Sequence, residues 1–509
     1  MKKTFLILIG TFIFFGCARK TTVTVYHIGD MRGFYWARQN GGNAPVGGYA
    51  VLKNILSQER HPYLLLSAGN WFLGTPEGVY QQGRSSVELM NMVKVDASAI
   101  GSMDFYFGEQ SLETILKQAK FKVLGANVHK KGTSKNADFV LPYVIREFGD
   151  TKVGIFGLTG RYLNTNILRR KLKTIELKEE ISTASNAVKE LKKQGANFII
   201  ALAQMGIGSD KVSSANDCKL LARQVEGIDL IISGGNDTYM QTPLKIGRTL
   251  IVQSGTGLRK AGRLELELNA FTGKLAGFNY KLIDLDSSKF KQDATVLNFV
   301  NSLRRKTDAV YNKKIAFSEE TLSHGDGESD LGSWVCDCLR RWAKVSAVIL
   351  DSDNLKGEIK QGEITHRNLY EILPYDASVI MVKVKGVDLK QLLEKNLLTP
   401  DKMFQVSGLQ IYFDPAKNPG EKILEIYIDG KPLREDSIYR IAIADNMLYA
   451  NEVFYSFEFA NTYENMRNKL LWCMRKEKSK KFPPKTDGRN LKRNKKKNKF
   501  KLCLNKNPF

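Results

Sequence analysis

Asp30, Asp104 and Asp237 are hard oxygen donors, and they would hold one Mg²⁺ or Ca²⁺ if their loops converged. A two-metal hydrolytic centre asks for more, namely carboxylates and neutral imidazoles around both ions. The chain has five histidines, His27, His61, His129, His324 and His366. His27 precedes Asp30 by three positions, but residues i and i+3 in a strand-to-loop turn need not converge. Each histidine reads as a satisfied or surface residue rather than a ligand. Cys336-Asp337-Cys338 gives no better metal site, because in a helix its two thiols point about 200° apart.

The chain has 509 residues, 43% of them hydrophobic and 10% aromatic, which is enough for two or three packed domains. Its net charge of +24 is uneven, since Arg475 to Phe509 carry 15 Lys/Arg against 2 Asp/Glu. The run Lys492-Arg493-Asn494-Lys495-Lys496-Lys497 reads as a solvated basic tail (491–509), with anionic lipid or nucleic acid as the alternative partner, and its lack of aromatic interleaving of the stacking kind disfavours nucleic acid. At the other end Lys2 and Lys3 precede an apolar run from Phe5 to Phe15 that is too short to span a bilayer, followed by Gly16-Cys17. This resembles a bacterial lipoprotein signal (1–16) with Cys17 as the acylated mature N-terminus, although Phe14 and Phe15 make the lipobox degenerate. A plain secretory signal or an uncleaved anchor is the alternative. Five cysteines follow Cys17, so at least one lacks an intramolecular partner, and the pairing of any disulfide is not fixed by the sequence.

The elements that would position these residues alternate. Val23–His27, Tyr63–Ser67, Phe121–Leu124, Val153–Phe156, Phe198–Leu202 and Asp229–Ile232 are short, nearly continuous apolar runs, as expected of strands buried on both faces. Helical periodicity lies between them, from Gly47-Gly48 through Leu56 and from Ile181 to Leu191. Strands alternating with helices predict a layered α/β domain whose site lies in the loops after the strand ends. Leu250–Gln253 and Leu264–Leu268 read as antiparallel strands that close it. Asp293–Tyr311 reads as an amphipathic connecting helix with Val296, Phe299, Val300 and Leu303 on its apolar face. A second α/β unit follows, with a helix around Trp334–Ala343, strands at Val379–Val384 and Lys422–Ile428, and a tight turn at Asp429-Gly430.

Ordered blocks carry a family likeness. They are His27-Ile28-Gly29-Asp30-Met31-Arg32-Gly33, Gly47-Gly48-Tyr49-Ala50, Ser67-Ala68-Gly69-Asn70-Trp71-Phe72-Leu73-Gly74-Thr75-Pro76, Gly101-Ser102-Met103-Asp104-Phe105-Tyr106-Phe107-Gly108, and Ser233-Gly234-Gly235-Asn236-Asp237. In the second half Leu373-Pro374-Tyr375, Phe404-Gln405-Val406-Ser407-Gly408-Leu409 and Pro483-Pro484-Lys485-Thr486-Asp487-Gly488-Arg489 continue it. Together, over about residues 22–490, they resemble the 5'-nucleotidases. The resemblance implies a four-layer α/β/β/α metallophosphoesterase domain (22–285), a linker helix (286–313) and a smaller α/β C-terminal domain (314–490). It also implies a two-metal phosphohydrolase using Mn, Zn, Co or Mg.

Carried over position by position, that implied centre is degenerate. Asp30 alone of the metal ligands is retained. Arg32 stands for a His, Asn70 for the bridging Asp, Ser102 for the ligand Asn, Met103 for the His that stabilises phosphate, and Tyr106 for the Asp that orients it. Gln204 stands for another ligand His, and the last pair falls on Gly235 and Asp237, or on Asn236 and Thr238, depending on register. None of these is a histidine, and no catalytic residue is assigned. In the substrate domain Lys356 stands for a phosphate-gripping Arg, Phe404 for the first base-stacking aromatic, and Phe454 or Tyr455 for the second. Arg32 is expected to substitute electrostatically for metal by pairing with Asp30. Three functions stay open: an impaired relative that binds a nucleotide, nucleoside or other anionic ligand without a cofactor; a weakly active nucleotide phosphohydrolase with an altered metal site; and a surface interaction protein.

Overall fold

The computed structural model describes residues 20–40, 43–160, 171–208, 217–325, 327–374, 377–398, 403–450, 457–476 and 489–492. Cys17 and the leader, Phe454, Tyr455, Cys503 and nearly all of the basic tail lie outside them.

The first unit is built on two six-stranded sheets. Its strands are β1 (Lys20–Ile28), β2 (Tyr63–Ser67), β3 (Ala97–Ala99), β4 (Lys122–Leu124), β5 (Tyr143–Phe148), β6 (Thr151–Thr159), β7 (Phe198–Gln204), β8 (Leu230–Gly234), β9 (Leu244–Ile246), β10 (Thr249–Val252), β11 (Lys260–Asn269) and β12 (Leu275–Asp284). One sheet runs β12-β11-β1-β2-β3-β4 and the other β9-β10-β8-β7-β6-β5. The apolar runs alternate sides as the pleat requires. Phe198, Ile200 and Leu202 join Val23, Val25, Leu64 and Leu66 in a core between the sheets. Ile199, Ala201 and Ala203 face outward, under helices α5 (Glu180–Lys193) and α6 (Cys218–Gln224). Tyr26, Ile28 and Leu65 likewise face α1 (Tyr49–Ser57), α3 (Arg84–Met92), α4 (Glu109–Leu116) and α7 (Ala294–Tyr311), with α2 (Pro76–Val79) between α1 and α3 in sequence. The result is the four-layer α/β/β/α arrangement.

Two local expectations change. Leu264–Leu268 is antiparallel to both neighbours, but β10 runs parallel to β8 and antiparallel only to β9. Its apolar run carries no directional information, because pairing is decided by the chain on either side. His27 is neither exposed nor satisfied. It is buried, stacks on Tyr280 at 5.9 Å, and has no hydrogen-bond partner for either ring nitrogen among the described residues. Its antiparallel partner is Gly262, where an added Cβ would lie 1.8 Å from Nε2, so only glycine leaves room for the ring.

Burial lowers the His27 pKa to about 3. The unfolded chain therefore binds an extra proton between about pH 6.5 and 3, and stability rises with pH across that window. His27 then contributes fully above pH 6.5, and as pH falls toward 3 its desolvation costs up to about 4–5 kcal/mol. We expect His27→Leu to flatten the acid limb of the stability profile. Urea unfolding at pH 7, 5.5 and 4 measures it, and an unchanged slope would remove the assignment.

The second unit has a five-stranded sheet ordered Gln405–Ser407, Ala347–Leu350, Ile438–Ala444, Ser378–Lys385 and Glu458–Asn465. Helices α8 (Asp330–Ala343), α9 (His366–Ile372), α10 (Gly386–Asn396) and α11 (Met466–Lys476) accompany it. Asp429 and Gly430 turn at φ 51° and 72° between the strand Ile423–Ile428 and Lys431–Pro432, the geometry of a two-residue hairpin loop. Cys338 is disulfide-bonded to Cys473, tying α8 to α11, while Cys336 and Cys218 are buried thiols. Desolvation pushes the Cys218 thiol up to about 12, so it is inert at neutral pH.

Helix α7 is no free-standing connector. Val296, Val300 and Leu303 sit in the first unit's core. One turn further on, Thr307 donates to Glu77 at 2.7 Å, and Arg367 on α9 grips the same carboxylate at 2.8 and 3.3 Å. Glu77 is fully buried, so a carboxylate of the first unit is neutralised by a cation of the second.

Candidate functional site

The residues singled out in the first unit converge at the C-terminal ends of parallel strands, where open α/β sheets place ligands. Asp30 and Arg32 follow β1, Asn70 follows β2, Ser102 follows β3, Gln204 ends β7, and Gly235–Asp237 follow β8. The loops are zipped by backbone bonds: the Asp30 amide donates to the Gly69 carbonyl at 2.9 Å and the Arg32 amide to the Asn70 carbonyl at 3.0 Å. Asp30, Arg32 and Asn70 take left-handed φ of 49°, 48° and 58°. Non-glycine residues in that region cost about 1–3 kcal/mol each and concentrate at functional sites.

At the centre lies a guanidinium. Arg32 Nη2 and Nε reach Asp30 Oδ1 at 3.1 and 3.3 Å, and Nη1 reaches Asp237 Oδ1 at 3.2 Å. Asp30 Oδ1 also accepts from Asn70 Nδ2 at 2.7 Å, while its Oδ2 accepts from the Gly235 amide at 2.6 Å. Asn70 Oδ1 in turn accepts from the Met103 amide at 3.2 Å, which fixes its orientation. Asp30 and the Arg32 head are 0% and 6% exposed, and Asp237 is half exposed.

Asp104 clasps the same loops from behind. Its two oxygens accept from the amides of Trp71 (2.7 Å), Gly101 (2.8 Å) and Asn70 (2.9 Å). Burial pushes its carboxyl up to about 7, against the pull of those three donors. It is therefore a loop clasp rather than a partner of Asp30 and Asp237 on one cation. Gln204 Oε1 accepts from the Ser102 amide at 3.4 Å, and Gln204 Nε2 and Ser102 Oγ are buried polar atoms without partners among the described residues.

The other positions point elsewhere. Asn236 bonds the Ile207 carbonyl and Gln253, Tyr106 packs edge-on to Phe107 at 5.0 Å, and neither meets Asp30. Thr238 is half-buried with no side-chain hydrogen bond in the described structure. In the second unit Lys356 lies 3.6 Å from the exposed Asp353, and Phe404 is buried in the core at 6% exposure. Nothing in the residue pattern foretold the Gly235 amide, the Asp104 clasp or the Glu77–Arg367 pair. Of these, only the spacing of Asp104 three residues after Gly101 was a usable sign.

The family model for the 5'-nucleotidase C-terminal domain matches residues 309–458. The chain is 26% identical over 466 residues to the 5'-nucleotidase of Homo sapiens, covering 80% of this chain and 79% of that one. It is also 26% identical over 464 residues to a snake venom 5'-nucleotidase of Crotalus adamanteus. Over four-fifths of its length the chain is thus similar to 5'-nucleotidases, and residues 309–458 match that family's C-terminal domain. Among solved structures it superposes on a 5'-nucleotidase precursor from Thermus thermophilus with TM-score 0.72 at 23% identity, over 92% of this chain and 98% of that one. A putative 5'-nucleotidase from Staphylococcus aureus gives the same TM-score at 16% identity. These two structures share the two-domain fold.

The metal pair that the family implies does not fit these residues. Both oxygens of Asp30 are engaged, the position of a ligand imidazole holds a permanent cation, and the bridging carboxylate is an amide. Among the described residues no group of three or more His, Cys, Asp or Glu could hold a metal ion. A dication beside Arg32 would face like charge in a site with one fully buried carboxylate and one half-exposed one.

Proposed function

We propose that the protein is an exported, lipid-anchored envelope member of the 5'-nucleotidase family with an impaired hydrolytic centre, which binds a nucleotide, nucleoside or other anionic ligand between its two units. The observation that carries this reading is the Arg32 guanidinium seated between Asp30 and Asp237, in the place of metal. The strained loops and the buried, unpartnered polar atoms of Ser102 and Gln204 make a polar floor for a ligand without supplying a metal-activated water. Lys356 adds a point charge that suits phosphate, though without the two-pronged grip of arginine. The Lys2-Lys3 leader and Gly16-Cys17 support export and anchoring.

Thermal unfolding of the full chain lacking its leader, with AMP, adenosine and inorganic phosphate, tests the ligand. A binder at a hundredfold its Kd stabilises the fold by about 2.7 kcal/mol. Stabilisation by at least one of the three is expected. No shift with any at millimolar concentration overturns the cleft-binding reading and leaves the surface-scaffold one.

A further inference from the structure

A cavity of about 550 Å³ opens on the first unit, and none of its lining residues belongs to the Asp30 cluster. Its walls are Gln81, Gln82 and Arg84, then Phe107 to Ser111 and Thr114, then Lys171 and Lys173. That volume lies within the range of small-molecule sites. We propose that it is a binding site for an anionic sugar.

The charge balance favours an anion. Three of the lining side chains are cations against a single carboxylate, Glu109, whose oxygens are taken by the amides of Lys173 and Thr174. Arg84 and Lys173 have no carboxylate partner among the described residues, and both are exposed to the cavity and solvent. Helix α4 starts here from Gly108 with no side-chain cap, so its first-turn amides add to the positive field.

The remaining groups suit hydroxyls. Gln81, Gln82, Gln110, Ser111 and Thr114 offer paired donors and acceptors, and Ser111 and Gln82 are already bonded to each other. Phe107 gives a flat apolar wall, held by stacking on the buried Phe72 at 5.7 Å. Gln81 and Gln82 are consecutive residues in left-handed conformation, φ 55° and 58°, at the break between α2 and α3. Two adjacent strained non-glycine residues are costly, and the break sets both glutamines in the cavity wall. A phosphate or carboxylate on Arg84, Lys173 and the α4 amides would leave the glutamines and Ser111 or Thr114 for the sugar hydroxyls.

Isothermal titration of the full chain lacking its leader with glucose 6-phosphate, galacturonate and glucose tests this, with the Arg84→Gln/Lys173→Gln variant as comparison. Both substituted side chains are exposed, so the variant should melt with the parent. We expect at least one of the two anionic sugars to bind, at least tenfold more tightly than glucose. Whether phosphate or carboxylate binds the more tightly identifies the source of the charge. The double substitution should weaken binding at least tenfold, and saturating AMP should leave it unchanged. No binding of either anion at millimolar concentration, equal binding of glucose, loss under AMP, or binding untouched by the double substitution would overturn the site.

Discussion

Arg32→Ala is expected to lose about 3–5 kcal/mol of stability, because it strands a carboxylate in the protein interior. Asp30 is 0% exposed, and without the guanidinium its side-chain donors among the described residues are the Asn70 amide side chain and the Gly235 backbone. The cost is an unpaired buried charge and not merely a lost contact, so removing the charge should return part of it. Arg32→Ala/Asp30→Asn should therefore be more stable than Arg32→Ala alone, despite one more substitution. Asp237→Asn should do far less, since that carboxylate is half exposed and such pairs contribute about 0–1 kcal/mol. Guanidinium unfolding of the four proteins measures these differences. Equal stability of Arg32→Ala and the parent would mean that Arg32 does not neutralise Asp30.

The second large effect is expected at the junction of the two units. Arg367→Ala leaves Glu77, fully buried, with the Thr307 hydroxyl as its remaining side-chain donor. The same accounting gives about 3–5 kcal/mol, and here the loss falls between units. Arg367 also bonds Thr307, Asp308 and Asn312 on and just beyond α7, so its removal frees contacts to four residues that join α9 to the first unit. Calorimetry should show the parent's unfolding broaden or split in the variant, as two cores uncouple. Glu77→Gln, which keeps an acceptor for Thr307 and carries no charge to strand, should cost less than Arg367→Ala. A single unshifted transition in Arg367→Ala would show that the pair is not what couples the units.

Much of the fold was legible because its strands are buried on both faces. Tyr63–Ser67 and Phe198–Leu202 are continuous apolar runs for that reason, and the helices between them carry the 3.6-residue period. What one chain's pattern cannot carry is pairing across long separations. The direction of Thr249–Val252 depends on its neighbours, and Cys338 finds its partner 135 residues away. The site divides in the same manner. The family resemblance singled out Asp30, Arg32, Asn70, Ser102 and Gln204, the apolar strand runs before them put them at strand ends, and the expected pairing of Arg32 with Asp30 is present at 3.1 Å. The additional bond to Asp237 and the Gly235 amide on Asp30 arise from loop shapes, with three non-glycine residues held left-handed. Glu77 and Arg367, 290 residues apart, gave no sign of each other in the sequence. His27 was misread because buried histidines without partners are rare, and the glycine that makes room for this one lies on another strand.

Metal content and turnover of one preparation test the guanidinium centre most directly. The purified chain, incubated with Mn²⁺, Zn²⁺ and Co²⁺ and then freed of unbound ions, should carry no stoichiometric metal and release no phosphate from AMP above the uncatalysed background. Two equivalents of metal bound per chain, with phosphate released, would contradict a site in which Arg32 has taken the metals' place.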